Sequence, residues 1–558
     1  MNTLRKVGPD LVLKTRFNIV WLREIKQIPG SRWNPEKKTW KIPYSDSVKR
    51  QIKALVIPLK DMTEDSQLID AEHIKKRREW IAKEHKALIS TERYQRLYHS
   101  LTKPYKHQAL AWDFLTRHHN HAALLMEMGT GKTKIMIDYL VSLHKTGKCD
   151  RIIWVCPNSV TENTMDEIIK HSAAPVNAFI VRGLAAKKIR IIEEARKSES
   201  LTIIILNYEA VFNLFEHLAA FKADAAVLDE STRIKNPKAQ VSKVLCRLCA
   251  RTTHRYIMTG TPMTQSPVDL FSQYKFLDPE IFGSSFFSFK CRYLVMGGWE
   301  NREIVGYNNL EELKKKVFQI GIRFLKEECL DLPPKIYEVR QYDLENEQRR
   351  VYEEMKKNLI SEIAGKFITV SVALVKLLRL SQICSGFYRA DESEKVTRFK
   401  SNPKLQLLKE VIEEIGTDKN IIIWCRFVEE IKILEEEFAE MKLYCKSIHG
   451  AVKAEDRAGI IKEFNDRERP MIFIGQVRTG GLGINLVGGY NVIYFSNSYS
   501  LEDRLQSEDR THRIGQENKV TYTDIIGRKT LEEGILKLLR RKKDIADYIT
   551  VENLKEIL

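Results

Sequence analysis

Residues 126–133 read MEMGTGKT, and the next ten read KIMIDYLVSL. The apolar run Ala122–Met126 leads into them, so the stretch reads as strand, tight glycine loop and amphipathic helix. That order suits a phosphate-binding loop. Its glycines let backbone N–H groups turn inward around a β-phosphate. Lys132 brings a compact cation to the β/γ oxygens, and Thr133 offers a hydroxyl to Mg2+. Met128, Gly129, Thr130 and Gly131 form the cradle. The longer form of the motif has Gly where this chain has Met126, so the shorter G-x-G-K-T version stands here. A glycine turn that only caps a helix is the plain alternative. The loop predicts ATP and Mg2+ as cofactors and a parallel α/β lobe around it.

Short apolar runs recur outward from the loop at Arg151–Cys156, Leu201–Leu206, Ala225–Leu228 and Arg255–Met258. Each ends in polar, Gly or Pro residues, as buried parallel strands do. The pattern returns at Asn420–Trp424, Leu443–Ile448, Met471–Ile474, Asn491–Phe495 and Val520–Ile526. The expected fold is therefore α/β, with two tandem lobes of the same kind at 99–264 and 403–558. Residues 265–402 read as a helical insertion or linker, with phrases such as NLEELKKKVFQI (309–320) and ALVKLLRLSQIC (373–384). Residues 1–60 read as a small basic α+β accessory domain, and 61–98 as a charged helical connector.

A second chemical signal, Val227-Leu228-Asp229-Glu230, ends another strand about 100 residues after the loop. Asp229 would hold Mg2+, and Glu230 would polarise the attacking water. A solvated turn is the alternative, weakened by the pair's position in the same lobe as the loop.

The net charge is +18, and residues 1–100 hold 22 Lys+Arg against 12 Asp+Glu, ten of that surplus. A basic balance of this size favours a polyanionic partner. The nine scattered cysteines suit a reducing compartment. Cys246 and Cys249 form the one close pair, and without a second pair they read as small apolar residues rather than zinc ligands. The start, MNTLRKVGPD, has no apolar signal region, and no run approaches a membrane span.

Further motifs follow in a fixed order. VCPNSV stands at 155–160, LNYEA at 206–210, LDEST at 228–232 with KNPKAQ at 235–240, and MTGTPM at 258–263. The second lobe has IIIWCRF at 421–427, IHG at 448–450 with Arg457, RTGGLGINL at 478–486 and QSEDRTHRIGQ at 506–516. This series resembles helicase superfamily two, specifically the Swi/Snf-type helicase-like ATPases, over roughly 100–545. The resemblance implies that the two lobes are RecA-like, with parallel sheets flanked by helices, and that the chain carries out DNA-dependent ATP hydrolysis. It makes Lys132, Asp229, Glu230, Arg510 and Arg513 the catalytic set. The two arginines, read as one helical turn apart, would meet the γ-phosphate from the second lobe; surface arginines on a helix are the alternative. Gly483 joins the nucleotide contacts. Gln108, in PYKHQALAWDF (104–114), resembles the family's adenine-reading glutamine, with helix capping as its alternative. The chain departs from the family at Thr232, where His is common, and at Ser507, where Ala is usual.

Small polar residues after strand ends suit DNA phosphate contacts. Candidates are Ser159, Asn207, Thr261, Arg426, His449, Thr479 and Gly480. Near the start, IKQIPGSRWNPEKKTWKIP (25–43) resembles the HARP-type module of annealing helicases. Lys37, Lys38, Lys41, Lys49 and Arg50 would attract phosphates, and Trp33 and Trp40 would stack on unpaired bases or simply form the module's core. The resulting expectation is a monomeric double-stranded DNA translocase that remodels or reanneals branched DNA. It would sit in the cytoplasm of a bacterium or phage-infected host, or in the nucleus of a eukaryote. A strand-separating helicase, a remodeller that displaces nucleoid proteins or stalled RNA polymerase, and a binding module with a dead ATPase are the rival readings.

Overall fold

The structure is a computed structural model. It describes residues 3–7, 10–14, 31–34, 39–43, 71–118, 120–263, 266–297, 303–364, 370–389, 396–466, 468–477 and 484–540. The chain divides into two compact units, Met1–Cys329 and Leu330–Leu558.

The first unit begins with four antiparallel strands: β1 (Thr3–Val7), β2 (Asp10–Lys14), β3 (Arg32–Asn34) and β4 (Thr39–Pro43), ordered β1-β2-β4-β3. Trp33 and Trp40 are directly opposite in the β3–β4 register. Lys41 is exposed. Lys37, Lys38, Lys49 and Arg50 lie outside the described residues.

The connector is helical, with helices at Ala71–Ile89 and Glu92–Leu97. It belongs to the lobe. Ile81 and Leu88 are buried in the core that also holds Trp112, and Tyr98 donates from its hydroxyl to Asp138 Oδ2 at 2.7 Å.

The main sheet of the first unit contains β5 (His121–Leu124), β6 (Arg151–Cys156), β7 (Val176–Ile180), β8 (Leu201–Asn207), β9 (Ala225–Asp229) and β10 (His254–Met258). After a hairpin of β11 (Leu294–Gly297) and β12 (Glu303–Tyr307), the short β13 (Gly321–Ile322) completes it. The order is β13-β5-β10-β9-β6-β8-β7, and every pairing is parallel. Strands of this kind are covered on both faces, so both faces must be apolar. Alternation does this. Ala122, Leu124, Ile152, Trp154 and Val227 enter one core, while Ala123, Ile153, Val155, Ala226 and Leu228 enter the other.

The second unit repeats the plan. Its sheet holds β14 (Lys335–Tyr342), β17 (Ile421–Cys425), β18 (Cys445–Ile448), β19 (Ile472–Gln476), β20 (Asn491–Tyr494) and β21 (Val520–Gly527), with a small hairpin of β15 (Phe387–Arg389) and β16 (Val396–Arg398) beside it in sequence. The order β14-β21-β20-β17-β19-β18 is again wholly parallel. Ile421 and Ile423 face one core, and Ile422 and Trp424 the other.

Residues 265–402 do more than the helical reading expected. They supply helices to both units, and also an edge strand to each sheet: β13 beside β5, and β14 beside β21. Neither edge strand has an apolar run to betray it, because β13 has two residues and β14, KIYEVRQY, is half exposed. The half-buried edge strand β7 escaped for the same reason.

Candidate active site

Parallel register brings three chemical segments to one end of the first unit's sheet. Met258 at the end of β10 is level with Leu124 of β5 on one side and Asp229 of β9 on the other. The phosphate loop, the acidic pair and the TGTP segment therefore emerge side by side.

In the phosphate loop, Gly129 and Gly131 have φ of 77° and 87°, in the left-handed region where a Cβ is costly. Helix Lys132–Lys145 starts there, with Gly131 as its cap. Thr130 Oγ1 donates to Glu127 O at 2.7 Å and holds the loop closed. Lys132 is buried, and its ammonium donates to Met126 O at 2.9 Å and Glu127 O at 3.3 Å. Met128, Gly129 and Thr133 are half-buried around it. Gln108 caps its own helix and also holds the loop: Oε1 accepts from Tyr105 N at 3.0 Å, and Nε2 donates to Thr130 O at 3.1 Å.

Asp229 and Glu230 are half-buried at the end of β9. Burial first, and the neighbouring Glu230 carboxylate second, push the Asp229 carboxyl well above the usual range, with Lys132 pulling the other way. Asp229 at the strand end and Thr133 in the first turn of the phosphate-loop helix would offer hard oxygen donors of the kind that suit a Mg2+ ion. Glu230 itself has φ of 52°, a left-handed conformation that costs a non-glycine residue about 1–2 kcal/mol. Strain of this kind collects at functional sites.

The TGTP segment abuts the loop. Thr259 N donates to Leu124 O at 3.1 Å, and a Cβ on Gly260 would lie 3.3 Å from Met128 N.

Sequence reasoning missed several supports of this site. His107 Nε2 lies 2.8 Å from Thr130 O, and burial lowers its pKa to about 4, so the ring is neutral and donates that bond. Glu127 Oε2 accepts from Lys326 N at 2.5 Å, and Glu127 N donates to Phe324 O at 3.2 Å. The phosphate loop is thus braced by a segment some 200 residues away, which no local pattern announces.

In the second unit, helix Leu501–Glu508 ends before the arginines, and Arg510–Arg513 lie in the turns that follow. The reading of Arg510 and Arg513 as one helical turn apart is corrected by this. After Glu508 the backbone tightens, with Arg510 N bonded to Ser507 O and Thr511 N to Glu508 O, while the His512 ring, 2.7 Å from Pro333 O, holds the segment to the start of the unit. Arg510 is buried and Arg513 half-buried. A buried ion network fixes the helix: Lys335 Nζ to Glu508 at 3.0 Å, Arg504 Nε to Glu508 at 2.9 Å, and Arg504 Nη1 to Asp524 at 2.6 Å.

Among the DNA candidates, Ser159 and Thr261 follow β6 and β10, and Asn207 is the last residue of β8, at the same sheet end, each half-buried. Asn207 Nδ2 donates to Glu209 at 3.0 Å. Arg426 is stacked 3.5 Å over the Tyr499 ring. His449 directly follows the edge strand β18, and Arg457 donates to its carbonyl at 3.2 Å. Thr479, Gly480 and Gly483 lie outside the described residues. None of the described helices is long and apolar enough to cross a membrane.

Two parallel α/β units, one with a phosphate loop and acidic pair and the other with a buried arginine segment, define the helicase-like ATPase class. Similarity to known proteins narrows it. The SNF2-related domain matches residues 105–388, and the helicase conserved C-terminal domain matches 403–515. The chain belongs to the SNF2-related family. It is 27% identical over 509 residues to the TATA-binding protein-associated factor mot1 of Aspergillus fumigatus, covering 80% of this chain and 26% of the relative. It is 27% identical over 468 residues to the nuclear protein STH1/NPS1 of Saccharomyces cerevisiae, covering 79% and 34%. An uncharacterized ATP-dependent helicase of Mycoplasma genitalium is 24% identical over 455 residues, covering 81% and 42%. The chain thus spans well under half the length of each of these relatives. The solved Sulfolobus solfataricus SWI2/SNF2 ATPase core in complex with dsDNA is 24% identical, with a TM-score of 0.40, covering 83% of this chain and 98% of that one.

Proposed function

We propose that this chain hydrolyses ATP in a DNA-dependent manner and uses the cycle to move along double-stranded DNA. The observation that carries the reading is the strand-end cluster of Lys132, Thr133, Asp229 and Glu230 beside the TGTP segment. Lys132 and the loop amides bind the β/γ-phosphates, and Glu230 orients the water. Mg2+ held by Thr133 and Asp229 would neutralise charge on the transferred phosphoryl group. Arg510 and Arg513 act as fingers for charge that develops on the γ-phosphate. Gln108 reads adenine, and Gly483 adds a nucleotide contact. Ser159, Asn207, Thr261, Arg426, His449, Thr479 and Gly480 follow the DNA backbone.

The finer reading is a monomer that remodels or reanneals branched DNA, with the HARP-like amino-terminal residues recognising junctions. The test compares ATPase rates with single-stranded, duplex and forked DNA. Stimulation by duplex supports a translocase, and excess stimulation by forks supports the branched-DNA role. Stimulation by single strands alone would replace both with a strand-separating helicase. A second reading, a remodeller that displaces DNA-bound protein, is favoured by the name of the mot1 relative, a TATA-binding protein-associated factor. It predicts ATP-dependent clearance of a protein roadblock from plain duplex.

A further inference from the structure

Gln273 lies on helix Val268–Leu277 and is fully buried. Its amide makes three hydrogen bonds. Oε1 accepts from Ser231 Oγ at 2.6 Å, and Nε2 donates to Pro262 O at 2.8 Å and Asp269 O at 2.7 Å. A fully buried side-chain amide must pair both N–H groups and its oxygen, and its own helix supplies only the Asp269 carbonyl. The other two bonds reach different segments. Ser231 directly follows the Asp229–Glu230 pair, and Pro262 closes the TGTP segment.

The other end of TGTP is held as well. Thr259 N is bonded to Leu124 O on the strand that feeds the phosphate loop, and Gly260 packs against Met128. The four residues 259–262 are thus tied to the phosphate-loop side at one end and to the acidic segment at the other. Thr261, half-buried, sits between the two ties.

We infer that Gln273 is a positioning residue that transmits displacement of the acidic segment to the TGTP loop, and so couples the nucleotide site to DNA contact at Thr261. The inference rests on the motor reading above. The physical reason is the stiffness of a short, fully satisfied buried bridge. Ser231 is also fully buried, so neither end can exchange its partner for solvent without exposing an unpaired polar group. A shift at Glu230 therefore moves Pro262 with it.

The test measures steady-state ATPase of the full chain with and without duplex DNA, together with melting temperature. The variants are Gln273→Met, Gln273→Glu, Ser231→Ala and the double Ser231→Ala/Gln273→Met. Met keeps the volume and removes the bridge, whereas Glu keeps the acceptor for Ser231 and loses the donor to Pro262. The ratio of DNA-stimulated to DNA-free turnover should fall on the order of tenfold in Gln273→Met, with KM for ATP held. Gln273→Glu should lose most of the ratio too. The double variant should lose no more than Gln273→Met, because both changes break one bridge. An unchanged ratio in the folded variants overturns the inference, as does an equal loss with and without DNA that tracks a lowered melting temperature. If Gln273→Met does not fold, the ratios of Gln273→Glu and Ser231→Ala decide. Wild-type protein that duplex does not stimulate would instead overturn the motor reading, and the coupling with it.

Discussion

Gly131 and Gln108 are packed so tightly that a Cβ on the glycine would overlap Nε2 of the glutamine. The amide that caps one helix is thereby pressed against the phosphate loop that starts another. Gly131→Ala should fail twice, through this overlap and through its φ of 87°. The left-handed conformation alone costs about 1–2 kcal/mol. Equilibrium binding of a fluorescent ATP analogue should fall sharply. Gln108→Ala should weaken binding of ATP more than of GTP if the amide also reads adenine, and equal losses would leave it a loop support only.

Lys132 and Glu230 should separate binding from chemistry. Lys132→Ala should abolish turnover and weaken nucleotide binding. Glu230→Gln should stop hydrolysis while ATP binding persists, measured by filter retention against single-turnover rates. Near-normal turnover in Glu230→Gln would remove that residue from the catalytic set.

Arg513→Ala should lower kcat by roughly 10³–10⁵ with little change in ATP affinity, the signature of charge met chiefly in the transition state. Comparing kcat with the Kd of a non-hydrolysable analogue checks this. A loss of affinity at unchanged kcat would make Arg513 a ground-state ligand.

Glu508 gives a pH prediction. Burial pushes its carboxyl up, but Lys335 and Arg504 outweigh burial and hold it at about 2. Its unfolded pKa is near 4.3. A depressed folded pKa adds stability that is present above the unfolded value and lost as pH falls toward the folded one. Acid unfolding of the second unit should therefore steepen between about pH 4.3 and pH 2. Glu508→Gln should be less stable at neutral pH and flatter across that window, as followed by denaturant melts.

Residues 1–60 carry 14 Lys+Arg against 4 Asp+Glu. Deleting them should reduce DNA affinity and flatten its salt dependence, by roughly 0.9 in the log–log slope for each phosphate no longer neutralised. Cutting at 98 would be a different experiment, because it strips Ile81, Leu88 and Tyr98 from the first lobe's packing. Fork-dependent ATPase falling more than duplex-dependent ATPase would support a junction-recognising module; equal losses would reduce it to an electrostatic tether.

The sequence by itself determined the two lobes, most of their strands and the residue types of the nucleotide site. Buried parallel strands must be apolar on both faces, and the phosphate loop needs left-handed glycines at Gly129 and Gly131, so both leave local marks. Tertiary structure decided what no local pattern records. Edge strands β13 and β14 are short or half polar, and their membership depends on a partner strand rather than on their own residues. The same holds for the arginine segment, whose helix stops at Glu508 where His512 is drawn to Pro333. It holds again for His107, Glu127 and Gln273, polar residues whose roles come from bonds to segments distant in sequence. A side-chain hydrogen bond spanning tens or hundreds of residues has no period and no spacing, and only the fold brings its two ends together.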